Sequence, residues 1–264
     1  LSTLAEGEDF YSNPRLSPSG QEMAWLSWSH PNMPWDGTKL WVSEISEDGS
    51  LSGARLVAGG DKESIFQPEW SPRGELHFVS DRTGWWNLYR ERLGKVQPVR
   101  PLQAEFGLPQ WVFRMSTFAF LDSGQIACTY IEDGISVLAI LDPESGRLTQ
   151  LDTPYSHFSS IRAVGNDMVF LGASATKQAA VVRLNPQKGW SQELHQSNES
   201  ILDKNIISVA APITFPTEGN RDAHAFYYPP VNPLYEALEG ELPPLIVHSH
   251  GGPTGSTGNS LSLS

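Results

Sequence analysis

Residues 71–93, SPRGELHFVSDRTGWWNLYRERL, decide the fold. The first four, SPRG, read as a turn. Residues 75–81 read as an apolar strand, 82–86 as a second turn, and 87–93 as a second strand. Proline presets φ within such a turn and glycine supplies the positive φ that lets the chain reverse. The same order recurs three times. SPSG at 17–20 precedes EMAWLSWS (22–29) and KLWVSEI (39–45), DSG at 122–124 precedes QIACTYIE (125–132) and ISVLAIL (135–141), and GND at 165–167 precedes MVFLGAS (168–174) and AAVVRL (179–184). The turn glycines Gly20, Gly74, Gly124 and Gly165 stand 54, 50 and 41 residues apart. A repeat of that length holding several strands is the mark of propeller blades. Residues 118–121, 137–141 and 168–171 are apolar on both strand faces, as expected of a sheet packed between two neighbours. Residues 95–100 and 147–152 alternate or carry proline, which suits an exposed fourth strand. The count is four blades, and there is little helical periodicity from 10 to about 196.

Composition bounds the rest. The chain has 264 residues, nine of them Trp, enough for a sizeable folded core. A net charge of −12 repels nucleic acid and anionic membrane, so neither is expected as a partner. No apolar stretch is long enough to span a bilayer, and no secretory leader is legible. The single cysteine, Cys128, has no internal disulfide partner, which is compatible with the cytoplasm. His248 and His250 stand two apart without a third ligand nearby, so no metal and no cofactor are expected.

Chemistry concentrates near the end. Residues 242–255, LPPLIVHSHGGPTG, read as a buried strand over 245–247 delivering a glycine loop. Such a loop lets backbone N–H groups approach a developing negative charge with no Cβ in the way. Pro253 has no N–H, leaving Gly251, Gly252 and Thr254 as donors. The same residues also suit a tight surface turn. Upstream lie PITFPTEG (212–219) and HAFYYPPVNP (224–233).

This order, a strand ending in FPTEG, a strand ending in YYPP, then PPLIVHSHGGPT, resembles the start of the peptidase domain in the prolyl oligopeptidase family, nearest to its acylaminoacyl-peptidase and dipeptidyl-aminopeptidase branch. The SPxG repeats resemble that family's propeller and TolB-like propellers, with Ser19 and Arg73 where the common repeat has aspartate. The resemblance implies a mainly β chain: a partial, about four-bladed β-propeller over 1–200, then the truncated start of an α/β-hydrolase domain over 201–264. It implies a serine peptidase acting on short peptides, whose GxSxG serine, aspartate and histidine lie beyond Ser264. The partners would then be the remaining blades and catalytic domain of the same parent chain.

The resemblance also assigns site residues. Gly252 and Gly251 become oxyanion donors, with His250 positioning the loop. Glu105 is a counterpart, by residue type, of the propeller carboxylates that hold a free amino terminus in the dipeptidyl branch. Trp35, in the proline-stiffened loop 29–36, is expected to touch substrate, and the loop 104–111 is a second such excursion. Arg82 is expected to pack on Trp85 and Trp86. A sequon stands at 198–200. The competing reading is a non-catalytic TolB-like propeller serving as a binding or scaffold module.

Overall fold

The computed structural model describes residues 3–198, 203–252 and 254–261. The sequon at 198–200 and Pro253 therefore fall wholly or partly outside the described residues. Four four-stranded antiparallel meanders follow one another along the chain. Blade 1 comprises β1 (Phe10–Leu16), β2 (Glu22–Trp28), β3 (Lys39–Ile45) and β4 (Leu51–Gly59). Blade 2 comprises β5 (Ile65–Trp70), β6 (Leu76–Ser80), β7 (Asn87–Arg92) and β8 (Lys95–Pro98). Blade 3 holds β9 (Phe118–Phe120), β10 (Ile126–Glu132), β11 (Ile135–Leu141) and β12 (Leu148–Gln150), and blade 4 holds β13 (His157–Val164), β14 (Asp167–Ala173), β15 (Ala180–Asn185) and β16 (Trp190–Gln196). A separate hairpin, β17 (Ala211–Thr217) with β18 (Arg221–Tyr227), follows one turn of 3-10 helix. Among the described residues no helix is long and apolar enough to cross a membrane.

The turns that opened each repeat close as their chemistry requires. Gly20, Gly74, Gly124 and Gly165 all have φ between +64° and +83°. Ser17 and Ser71 explain the serine of SPxG: each buried hydroxyl accepts an N–H at the entry to the next strand, of Glu22 and Glu75 respectively, both at 3.1 Å. Serine thus does in these turns what a carboxylate could do.

Three apolar clusters fill the three seams between the four blades. Leu76 and Phe78 of β6 face blade 1, packed with Leu26 and Leu40. Val79 of the same strand faces blade 3, in a cluster with Phe118, Ile126 and Cys128. In β10, Ile126, Cys128 and Tyr130 face blade 2 while Ala127 faces blade 4, where Met168, Phe170 and Val182 wait. This two-residue alternation with both faces covered is why the central strands read as continuous apolar runs. Burying a side chain such as Phe78 contributes about 1.5–3 kcal/mol. Blade 4 departs from the pattern: Leu171 and Val164 are exposed, because among the described residues no further blade covers that face.

Two local expectations need correction. Residues 245–247 lie outside any strand, with Leu245, Ile246 and Val247 at 78, 88 and 83% exposure. A buried strand needs a ladder partner and cover on both faces, and β17 and β18 pair only with each other among the described residues. Arg82 lies over the ring of Tyr89, 5.1 Å from its centroid, and pairs with Glu63 at 2.8 Å. It does not cover the tryptophans, since Trp86 is already faced by Gly107 and Trp85 points outward.

Candidate functional site

In each meander the first-to-second and third-to-fourth turns lie at one end, the SPxG end. The second-to-third loops and the blade-to-blade connections lie at the other. Trp35 (β2–β3 loop), Glu105 and Trp111 (blade 2 to blade 3 connection) all belong to this second, loop end. The tail reaches the same end: Leu261 N–H donates to Ser174 C=O at 2.8 Å, just past β14, and a Cβ on Gly258 would lie 3.7 Å from His157 Nδ1, at the start of β13. Burial pushes the His157 imidazole below its ordinary pKa.

Glu105 is held from three sides. Its N–H donates to Ile131 C=O at 2.8 Å and its C=O accepts the Ile131 N–H at 3.0 Å, a one-pair bridge onto the end of β10. Its neighbours Ala104 and Phe106 are buried, and Phe106 stacks on Tyr130 with ring centroids 4.9 Å apart. Carboxylate Oε2 accepts the Trp86 N–H at 2.9 Å. Oε1 takes no hydrogen bond among the described residues, so one oxygen of a fixed, half-buried carboxylate is open to a ligand.

Trp35 is half-buried and meets Trp111 across the loop end, ring centroids 4.3 Å apart at 42°. The two loops singled out separately in the sequence therefore form one aromatic surface. The Trp35 loop is braced from beneath, where Pro34 C=O accepts the Thr38 and Ser64 hydroxyls, the latter at 2.7 Å. Beside it Glu8 binds Lys39 Nζ at 2.6 Å and the Ser29 hydroxyl, and these two hydrogen bonds hold its carboxyl below the usual range.

In the glycine loop, His250 Nδ1–H donates to Gly251 C=O at 2.7 Å. The loop folds tightly: a Cβ on Gly255 would lie 2.2 Å from that same carbonyl oxygen. Gly251 and Gly252 are exposed, have φ outside the left-handed region, and have open space where a Cβ would stand. Their N–H groups are thus sterically accessible to an incoming oxygen. The sequence did not single out Arg114 and Arg162, which the fold brings together: Arg162 donates to Arg114 C=O at 2.8 Å. Nothing in a 48-residue separation signals that contact, which the seam between blades 3 and 4 makes.

Solved structures supply the context. Over 98% of this chain, puromycin hydrolase in complex with PGG superposes with a TM-score of 0.93 at 36% identity. A puromycin-hydrolyzing peptidase of Mycobacterium tuberculosis matches 92% of the chain with a TM-score of 0.86 at 33% identity. Prolyl oligopeptidase B of Galerina marginata shares the fold over 82% of the chain, with a TM-score of 0.63 at 13% identity. The chain carries a propeller of the prolyl oligopeptidase family. The chain spans 40, 37 and 31% of the length of the three matched chains respectively. No family model matches it and no curated protein matches it.

Proposed function

We propose that this chain is the substrate-filtering propeller, with the first elements of the hydrolase domain, of a serine peptidase that cleaves short peptides through a Ser-Asp-His triad lying outside these 264 residues. The observation that carries the reading is Glu105, a fixed carboxylate with one open oxygen, at the end of the propeller to which the tail returns. In this reading Glu105 receives the protonated amino terminus of the peptide. Trp35, in contact with Trp111, supplies an apolar wall beside it. Gly252 and Gly251 turn their N–H groups to the oxyanion of the tetrahedral intermediate, and His250 keeps the loop in shape through its hydrogen bond to Gly251. Support comes from the 36% identity to an enzyme crystallised with PGG.

Between the family branches, a carboxylate at the amino-terminal subsite favours dipeptidyl or aminoacyl removal, since an acylated terminus carries no cation. We place the enzyme in the cytoplasm, where the one cysteine, buried Cys128 with its thiol pKa pushed up to about 12 by burial, needs no partner. The test uses the full-length protein with aminoacyl and dipeptidyl coumarin amides and their N-acetyl counterparts. Free amino termini should be preferred, and Glu105→Gln should raise KM for them by about ten- to a hundredfold while leaving acetylated substrates unchanged. Faster cleavage of the acetylated series would assign the enzyme to the acylaminoacyl branch and remove Glu105 from the site.

A further inference from the structure

Among the innermost strands of the four blades lies a half-open cavity of about 530 Å³. It is lined by the first strands of all four blades and carries three arginines, Arg15, Arg114 and Arg162, against one carboxylate, Glu69. Arg15 is spoken for, its Nε 2.9 Å from Glu69. Arg114 and Arg162 pair with no carboxylate among the described residues, although the chain carries 30 Asp and Glu against 18 Lys and Arg. In a chain of net charge −12, two unpaired guanidiniums on one concave wall are the opposite of what the average surface would place there.

Their backbone is built to hold them. Arg114 has φ +68°, a left-handed conformation that a non-glycine residue rarely adopts. Arg162 follows the bulge at Ser160, φ +57°, where the pairing of β13 with β14 shifts register. One guanidinium nitrogen of Arg162 donates to Ile161 C=O and another to Arg114 C=O, both at 2.8 Å, which orients the planar group and ties the two residues together. Around them Trp70, Phe118 and Phe120 give the same cavity apolar walls.

We propose that Arg114 and Arg162 form a carboxylate-recognising subsite in the propeller, selecting extended peptides that carry a negative charge distal to the amino terminus. The proposal rests on the peptide-substrate reading above and adds to it a second recognition point. A guanidinium fork matches a carboxylate in geometry. Apolar side chains flanking the charge lie on Trp70 and Phe120. The carboxylate has two sources, the peptide's own carboxy terminus or an acidic side chain.

The experiment compares, in the full-length protein, matched peptides ending in a free carboxylate or an amide, with Asp or Asn near that end. Wild type should favour the charged member by about tenfold in kcat/KM at low salt, falling as ionic strength rises. In the Arg114→Gln/Arg162→Gln double variant that preference should vanish while amide-ended, Asn-containing peptides are cleaved as before. A preference restored by Asp in an amidated peptide assigns the side chain as source; one seen only with the free terminus assigns the carboxy terminus. Equal rates for charged and neutral peptides in wild type, or a preference surviving the double variant, overturns the proposal. Calorimetric titration with an N-acetylated acidic peptide keeps the two readings apart. Charge-dependent binding without any cleavage would sink the peptidase reading and leave the subsite standing, whereas cleavage without charge dependence would do the reverse.

Discussion

Gln67 and Thr117 join blade 2 to blade 3 through a side chain that imitates a strand: Gln67 Oε1 accepts the Thr117 N–H at 2.7 Å while its Nε2 donates to Phe118 C=O at 2.7 Å. All three residues are buried, and Gln67 sits at φ +48° in the bulge of β5. The innermost strands of neighbouring blades diverge too far for a continuous ladder, so an amide completes it. Gln67→Leu should therefore lower stability by about 3 kcal/mol, the cost of leaving a buried N–H and C=O unpaired. Gln67→Gly relieves the backbone but loses the same hydrogen bonds, and should also be destabilised. Urea midpoints of both variants decide the matter. An unchanged midpoint for Leu would mean that water satisfies the two groups.

His77 makes stability depend on pH. Its ring is buried in the seam of blades 2 and 3, edge-on to Phe120 with centroids 4.9 Å apart, with Nδ1 against Glu75 C=O. Burial depresses its pKa to about 4 from 6.5. The folded state thus binds fewer protons than the unfolded chain between these values. Stability is complete above about pH 6.5 and is lost as pH falls toward 4, by about 3 kcal/mol in all. His157 acts in the same direction, so the measurement is the difference in slope between wild type and His77→Leu from pH 7 to 4. Parallel slopes would show that His77 does not carry the effect.

The blades were legible because both ingredients are local: turn chemistry at fixed offsets, and strands whose two faces are both apolar. Gly74 with Ser71 announces its turn, and Leu76, His77, Phe78 and Val79 announce a strand buried twice over. The hairpin of β17 and β18, whose strands are largely exposed, was legible for a different reason, the FPTEG and YYPP endings that carry the family resemblance. What escaped the sequence depends on pairs far apart. Trp35 with Trp111, Arg114 with Arg162, and Gln110 Nε2 on the Ser12 hydroxyl at 3.1 Å are juxtaposed only by the order in which blades stack. Residues 245–247 misled because apolar content states what a segment can bury, while burial itself needs a partner surface.

Gly107 connects packing to the amino-terminal subsite proposed at Glu105. A Cβ there would lie 1.9 Å from Trp86 Cε3, and it is the Trp86 N–H that holds Glu105. Gly107→Ala must displace the indole, at an overpacking cost of about 1–3 kcal/mol. In the full-length protein KM for peptides with free amino termini should rise several-fold, with kcat little changed, and tryptophan emission should shift. Lost stability with an unaltered KM would show that Glu105 is positioned by its bridge to Ile131 alone.

Gly252 gives the sharpest test of the oxyanion assignment, because the loop's geometry separates two substitutions. Proline deletes the N–H. Alanine keeps it, and meets nothing: a Cβ at Gly252 has open space around it, and φ there lies outside the left-handed region. In the full-length protein Gly252→Pro should lower kcat by about a hundred- to a thousandfold, the range for losing one oxyanion donor, while Gly252→Ala retains most activity. A fluorophosphonate should still label the proline variant, since serine and base do not depend on the donor. Gly255→Ala is the contrasting control: its Cβ would strike the Gly251 carbonyl at 2.2 Å, disturbing the acceptor of His250 and so the whole loop. If proline at 252 leaves turnover near normal in a folded enzyme, the N–H of Gly252 takes no part in catalysis and the loop is a turn that only connects.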